Sequence, residues 1–269
     1  MTPWTLEAAE LARGALLGAR MAGLVATMPG LGGAGVPVPV RVALTLALAL
    51  AAWPAAPPAT PTSLLALGLD AGREALVGAA LGWIARLVVG AAEAAGELVG
   101  LATGLGLGAA LDPLSGHQAT ALGLLHRWVA LGLFFALDAH HVLLGAAVAS
   151  VRALPPGRPA VGADAALALG RAVGDMVAVG LALAAPTLAA LGLVQLALVV
   201  VGRSVPQLPL LTLAWPATIL TGLVVLALTA APAGAVLAGA VRALGPTLGR
   251  LLGGERPGAS RPSEGTVTP

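Results

Sequence analysis

The sequence predicts an all-α integral membrane protein, with about six long hydrophobic helices arranged as hairpins and an amphipathic helix at the C-terminal end. Three observations predict it. Mean hydropathy is +0.95, and 58% of the 269 residues are hydrophobic against 10% charged; a water-facing domain carries about 25% charged residues. The apolar residues come in runs of roughly 20 or more, the length a helix needs to cross a bilayer core. Clusters of Pro and Gly separate the runs: Pro29-Gly30, Gly32-Gly33, the prolines from Pro54 to Pro61, and Leu154-Pro155-Pro156-Gly157-Arg158-Pro159.

Taken in order, the predicted spans are residues 8–28, 38–53, 64–90, 119–150, 165–201 and 210–231. The third, fourth and fifth exceed one crossing, so they must tilt, kink or run past the lipid. Pro186 inside the fifth predicts a kink there. After Pro232, residues 235–252 carry Arg242 and Arg250 and read as an interfacial or partner-packing helix rather than a seventh span. Residues 255–269 have no apolar period and read as a disordered tail, which leaves 1–254 as one membrane domain. Six spans would put Arg152, Arg158, Arg242, Arg250, Arg256 and Arg261 on one side against Arg41 and Arg203 on the other, so both termini face the cytoplasm. Glu7 and Glu10 precede Arg13, so the start of the chain lacks the basic region of a cleavable secretory signal.

Composition also excludes chemistry. With no Cys there is no disulfide, thiolate metal site or cysteine nucleophile. All 14 basic residues are Arg, with no Lys or Tyr to titrate, so the pI near 10.9 reflects a net charge of only +2 and implies no nucleic-acid partner. No dinucleotide fingerprint, phosphate-binding loop or nucleophile elbow is present, and no cofactor is expected.

The stretch from Leu87 to His117 is the most informative. Gly96, Gly100, Gly104 and Gly108 recur every four residues, and Gly78, Gly82 and Gly90 keep the same step upstream. On a helix this spacing clears one side of Cβ atoms and lets another backbone approach closely. The same glycine density makes the segment pliable, since Gly costs about 1 kcal/mol relative to Ala in a helix. Gly104, Gly106 and Gly108 followed by Leu111, Asp112 and Pro113 therefore read as a helix breaking into a loop at membrane depth, tolerated where it is buried in protein or lines a cavity. Glu93 and Glu97 share a helix face, with Arg86 seven residues before Glu93 on roughly the same side. That face meets protein or water, not acyl chains. An interface ion pair and an acid/base or ion-coordinating pair are both open there, the first being the simpler.

Other polar residues interrupt the apolar runs: Arg20, Arg73, Glu74, Asp138, His140, His141, Arg171 and Asp175. Asp138 and His141 lie on one helix face, with His117 and His126 as further donors, so a metal site and a polar contact to a neighbouring helix are both open. The polar contact is the simpler.

Several of these pieces together resemble the FliR family. Gly96-Glu97-Leu-Val-Gly100 through Gly104, then Leu111-Asp112-Pro113, resembles its Gly-Glu and Asp-Pro signature. Leu133-Phe-Phe through His140-His141-Val-Leu-Leu, Ser150 with Leu154-Pro155-Pro156-Gly157, Ala185-Pro186, Arg203 through Pro206-Gln207, and Trp215-Pro216 with Gly222 follow in the family's order. Arg13, Arg20, Pro29 and Val40-Arg41 fit its opening. The departures are Gly106 and Gly108, where bulkier residues are common, and Asp138-Ala139 in place of a Gly before His140.

The resemblance implies a subunit of a type III protein export gate, in a flagellar basal body or an injectisome, in the bacterial inner membrane. It implies assembly with two smaller membrane proteins, FliP-like and FliQ-like, and with a FlhB-like subunit, into a helical channel entrance raised toward the periplasm. Unfolded substrates pass through that channel, and the segment after the Gly-Glu helix enters the pore as a plug. Residue by residue this assigns Gly104, Gly106, Gly108, Leu111, Asp112 and Pro113 to the plug. Gly96, Glu97, Gly100, Arg203, Pro206 and Gln207, which match its motifs, and Arg86 and Glu93 on the charged helix face are expected in packing and assembly. Two other function classes stay open: an ion-coupled transporter using Glu93, Glu97 or Asp112, and an intramembrane metalloenzyme using Asp138 and His141.

Overall fold

Three helices here begin where a proline lacks the N–H that would go unsatisfied, or where a hydroxyl accepts one. The computed structural model describes residues 8–33, 35–58, 63–106, 119–157, 163–204 and 210–252. Helix α1 spans Ala8–Thr27, and α2, entered through Pro37, spans Val38–Ala52 before a 3₁₀ turn at Trp53–Ala55. Ser63 caps α3, Leu64–Thr103, by accepting the Ala66 N–H at 3.1 Å. Thr120 caps α4, Ala121–Ala136, by accepting the Gly123 N–H at 3.0 Å. Then follow α5 (Ala139–Ala153), α6 (Ala163–Ser204), α7 (Leu210–Arg242) and α8 (Leu244–Leu251). All regular structure among the described residues is helical.

The 40-residue α3 is the axis of the fold, packed on α1, α4 and α6 and touching α7 and α8. More than half (56%) of its most apolar stretch is buried, against 11% for the spans through α2 and α7. Its first half meets α1 at close range. A Cβ on Gly78 would run into the Arg20 carbonyl, one on Gly82 into the Thr27 hydroxyl, and one on Gly23 of α1 into the Ala75 carbonyl. This approach lets Thr27 donate from α1 to the Ala79 carbonyl of α3 at 3.0 Å. Around it Leu17, Met21 and Leu24 of α1 pack with Leu81, Ile84 and Ala85 of α3 and with Phe134, Leu143 and Val151. The second half builds a separate core, in which Val89, Ala95 and Val99 meet Leu122, Leu183 and Leu237.

Four helices are long and apolar enough to cross a membrane: those through Val38–Ala55, Leu64–Thr103, Ala166–Ser204 and Ala214–Leu251. The α4–α5 pair makes a fifth if counted as one bent span. The count of six therefore drops to four or five among the described residues. Helix α1, with Glu10, Arg13 and Arg20 among its 20 residues, is not one of them; it buries its apolar face on α3 instead.

Two breaks also differ from expectation. The predicted span 119–150 is two helices bent by 66° at Asp138, without Pro or Gly at the bend. Conversely, Pro232 does not end a helix. Helix α7 runs through Pro216 and Pro232 to Arg242, and only the eight-residue α8 follows, in place of a separate amphipathic helix over 235–252. In an apolar setting the helix remains the best way to satisfy the other backbone groups, so one missing N–H is tolerated. Helix α6 likewise continues through Pro186 over 42 residues. The tail assigned to 255–269 lies outside the described residues.

Candidate functional site

The C-terminus of α3 leaves carbonyls with no partner inside the helix, and two elements supply partners: the turn that follows it and α7. Gly104 takes the left-handed conformation (φ 84°), which only Gly adopts freely, and its N–H reaches the Leu101 carbonyl at 3.1 Å. The Gly106 N–H folds back to the Gly100 carbonyl at 3.0 Å. The Thr218 hydroxyl of α7 lies 3.3 Å from the Thr103 carbonyl, and Gly222, one turn on, leaves room for the Thr103 methyl. The end of α3 is thus pinned by its own turn and by α7.

The chain re-enters the described structure at Ala119, beside the point where it left. Thr120 packs on Gly100 and Gly106: a Cβ on Gly106 would come within 2.9 Å of the Thr120 methyl. Glu97 holds this returning end, its Oε1 accepting the Thr120 N–H at 2.8 Å.

The arrangement is a capping box split between two helices. In a single helix, the N-cap hydroxyl accepts the N–H three residues on, and a Glu at that third position reaches back to the N-cap N–H. Here Thr120 is the N-cap and Gly123 the third position. Gly123 has no side chain, and the carboxylate of Glu97 occupies the space a Cβ there would need. Gly96 allows the approach, since a Cβ on it would meet the Leu122 carbonyl and the Gly123 Cα. The Gly-Glu pair and the glycine four residues later therefore converge on one point, where the described residues Gly106 and Thr120 stand side by side. Gly108, Leu111, Asp112 and Pro113 lie outside the described residues.

Glu93, one turn before Glu97, lies 3.7 Å from Arg127 of α4, with both side chains partly exposed. Arg86 is exposed two turns earlier and takes part in neither contact. Arg203 is exposed in the last turn of α6, and Pro206 and Gln207 fall outside the described residues.

A second polar centre joins residues that are far apart in the chain. The Arg20 Nε donates to Glu74 Oε2 at 2.5 Å, Nη1 lies 3.1 Å from Ser150 Oγ, and Nη2 donates to the Leu154 carbonyl at 2.7 Å. The other Glu74 oxygen accepts the Gly157 N–H at 3.0 Å. Arg20, Glu74 and Ser150 are fully buried. Sequence reading singled out Arg20, Glu74 and the Ser150–Gly157 exit separately but did not pair them. The signal at hand was that buried charges need partners of opposite sign, and few residues of either sign exist here.

The Asp138–His141 region forms a third centre. Asp138, His140 and His141 group together, with His141 Nδ1 3.4 Å from Asp138 Oδ1. Among the described residues none of the three makes a polar contact to a neighbouring helix.

The family described as "Bacterial export proteins, family 1" matches residues 11–244. The flagellar biosynthetic protein FliR of Caulobacter vibrioides is 30% identical over 218 residues, which covers 80% of this chain and 87% of that protein. FliR of Escherichia coli K12 is 31% identical over 210 residues, 77% of this chain and 80% of that protein. FliR of Bacillus subtilis is 27% identical over 157 residues, 57% and 61% of the two chains. Matched by the family across nearly all of its described helices and similar over most of its length to flagellar FliR proteins, this chain belongs to the bacterial export proteins of family 1.

Proposed function

We propose that the chain is a subunit of a flagellar type III protein export gate, and that the segment from Gly104 to Gln118 is a plug in its pore. The observation that carries this reading is the split capping box. Gly106 and Thr120, which flank residues 107–118, are held side by side: the Gly100 carbonyl accepts the Gly106 N–H, Glu97 accepts the Thr120 N–H, and Gly96, Gly100 and Gly106 admit the returning chain.

The outer faces support a life in assembly. Leu193, Leu196, Val199 and Val200 on α6, and Trp215, Leu220 and Leu228 on α7, are all exposed. Such faces are covered by lipid or by partner membrane subunits, here a FliP-like and a FliQ-like protein with a FlhB-like subunit alongside. The gate stands in the inner membrane at the basal body, passes unfolded flagellar components, and performs no catalysis of its own. The relatives' flagellar names favour this over the injectisome reading. A transporter reading loses two of its three candidate ion ligands, because Glu97 is engaged with a backbone N–H and Glu93 with Arg127.

A clean deletion with complementation in trans tests the reading. Loss of swimming and of hook and filament proteins from the medium, restored by the complementing chain, is expected. Intact swimming with intact secretion would overturn it.

A further inference from the structure

We propose that Asp138, His140 and His141 form a binding site for one divalent transition-metal cation of the Zn²⁺ type, at the elbow between α4 and α5. Nothing in the export reading uses these residues. On a regular helix, residues two apart point about 200° from one another, so Asp138 and His140 would face opposite ways. They do not, because Asp138 stands in the left-handed region (φ 54°, ψ 24°) just outside α5 and turns its carboxylate back over the first turn. It is the one non-glycine residue with positive φ among the described residues. This backbone state costs roughly 1–2 kcal/mol for a side-chain-bearing residue.

The carboxylate gains no capping bond in return. Asp138 sits at the N-cap position of α5 yet accepts no backbone N–H there. Instead one ligand atom from each of Asp138, His140 and His141 lies within 4.8 Å of the other two. Donors around one Zn²⁺, at about 2.0–2.2 Å from the metal, stand roughly 3–4 Å from one another. Side-chain movements of less than about 1 Å close that gap.

His140 supplies an independent sign: its Nδ1 is buried and has no hydrogen-bond partner among the described residues. A buried ring nitrogen without a partner is a group awaiting one. The imidazole rings of His140 and His141 lie 4.1 Å apart, centroid to centroid, so both rings stand side by side at the elbow. Two imidazoles and one carboxylate suit Zn²⁺, Ni²⁺ or Cu²⁺ better than Ca²⁺ or Mg²⁺, which prefer all-oxygen shells. Asp138 and His141 are exposed, so no other side chain of this chain fills the remaining coordination positions among the described residues. A bound ion would fix the 66° bend between α4 and α5.

The test uses the full chain without a polyhistidine tag, purified in detergent, stripped with a chelator and titrated with ZnCl₂ by calorimetry. One Zn²⁺ per chain is expected, with a Kd in the micromolar range or below. Asp138→Gly removes the ligand while relieving the backbone, so it should weaken binding at least tenfold without loss of helix content or thermal stability. His140→Gln and His141→Gln should do the same to binding, while His126→Gln should leave it unchanged. Absence of stoichiometric binding, or equal binding in Asp138→Gly and the parent chain, would overturn the proposal.

Discussion

Replacing Glu97 by Ala should loosen the start of α4, and a compensating Gly123→Glu substitution should restore it. Glu97→Ala deletes the acceptor of the Thr120 N–H, which lies 2.8 Å away at a partly buried site. A hydrogen bond from a backbone N–H to a carboxylate contributes about 1.5–3 kcal/mol, and a carboxylate at a helix N-terminus adds about 0.3–1 kcal/mol through the helix dipole. Loss of about 2–3 kcal/mol raises the local opening equilibrium roughly 30- to 150-fold. Gly123→Glu in the parent chain should also destabilise, because the new Cβ meets the Glu97 carboxylate. Combined, the two changes should rescue one another. The space is vacated, and the introduced carboxylate can reach back to the Thr120 N–H from the third helical position.

Hydrogen exchange of a peptide covering 119–125, in the detergent-solubilised chain, reads the opening directly. Protection should fall in each single variant and return to within a few-fold of the parent in the double. Unchanged exchange in Glu97→Ala, or a double variant as loose as the sum of the singles, would refute the split capping box.

Further expectations follow from the packing. Arg20→Ala or Glu74→Ala leaves a buried charge unpaired and should cost about 3–5 kcal/mol, whereas Arg20→Met with Glu74→Leu should cost markedly less; thermal unfolding of the purified chain distinguishes them. Gly78→Ala forces α1 off α3 at the Arg20 carbonyl and should lower the melting temperature by an overpacking penalty of about 3 kcal/mol. Gly72→Ala on the same helix meets open space and should be neutral or stabilising by up to about 1 kcal/mol. Gly108→Trp should alter secretion or ion leakage while the protein still inserts in the membrane; wild-type behaviour in both assays would count against a plug.

Much of this was legible in the sequence where the physics is local. Apolar runs and Pro–Gly clusters located the helices, and glycines four apart marked the close approaches of α3 to α1 and to α4. Gly104 marked the end of α3, because only glycine relaxes readily into the left-handed cap. Glu93 and Glu97 were legible as an interface face, but their partners were not: Thr120 offers a backbone N–H, which no composition reveals, and Arg127 stands on another helix. The Arg20–Glu74 pair spans 54 residues of sequence and depends on how α1 crosses α3. The bend at Asp138 was hidden for another reason. It occurs at a residue whose type only weakly favours positive φ, within a run whose hydropathy is continuous. At Pro232 the error ran the other way, since a breaker in water is not a breaker where backbone groups have no solvent to turn to.

The most direct test of the plug is the proton and ion permeability of cells carrying a deletion of Asp112 and Pro113, with the variant confirmed in the membrane fraction. The account predicts a faster collapse of the membrane potential than in cells with the parent chain, together with altered secretion. Unchanged permeability and normal secretion would contradict it.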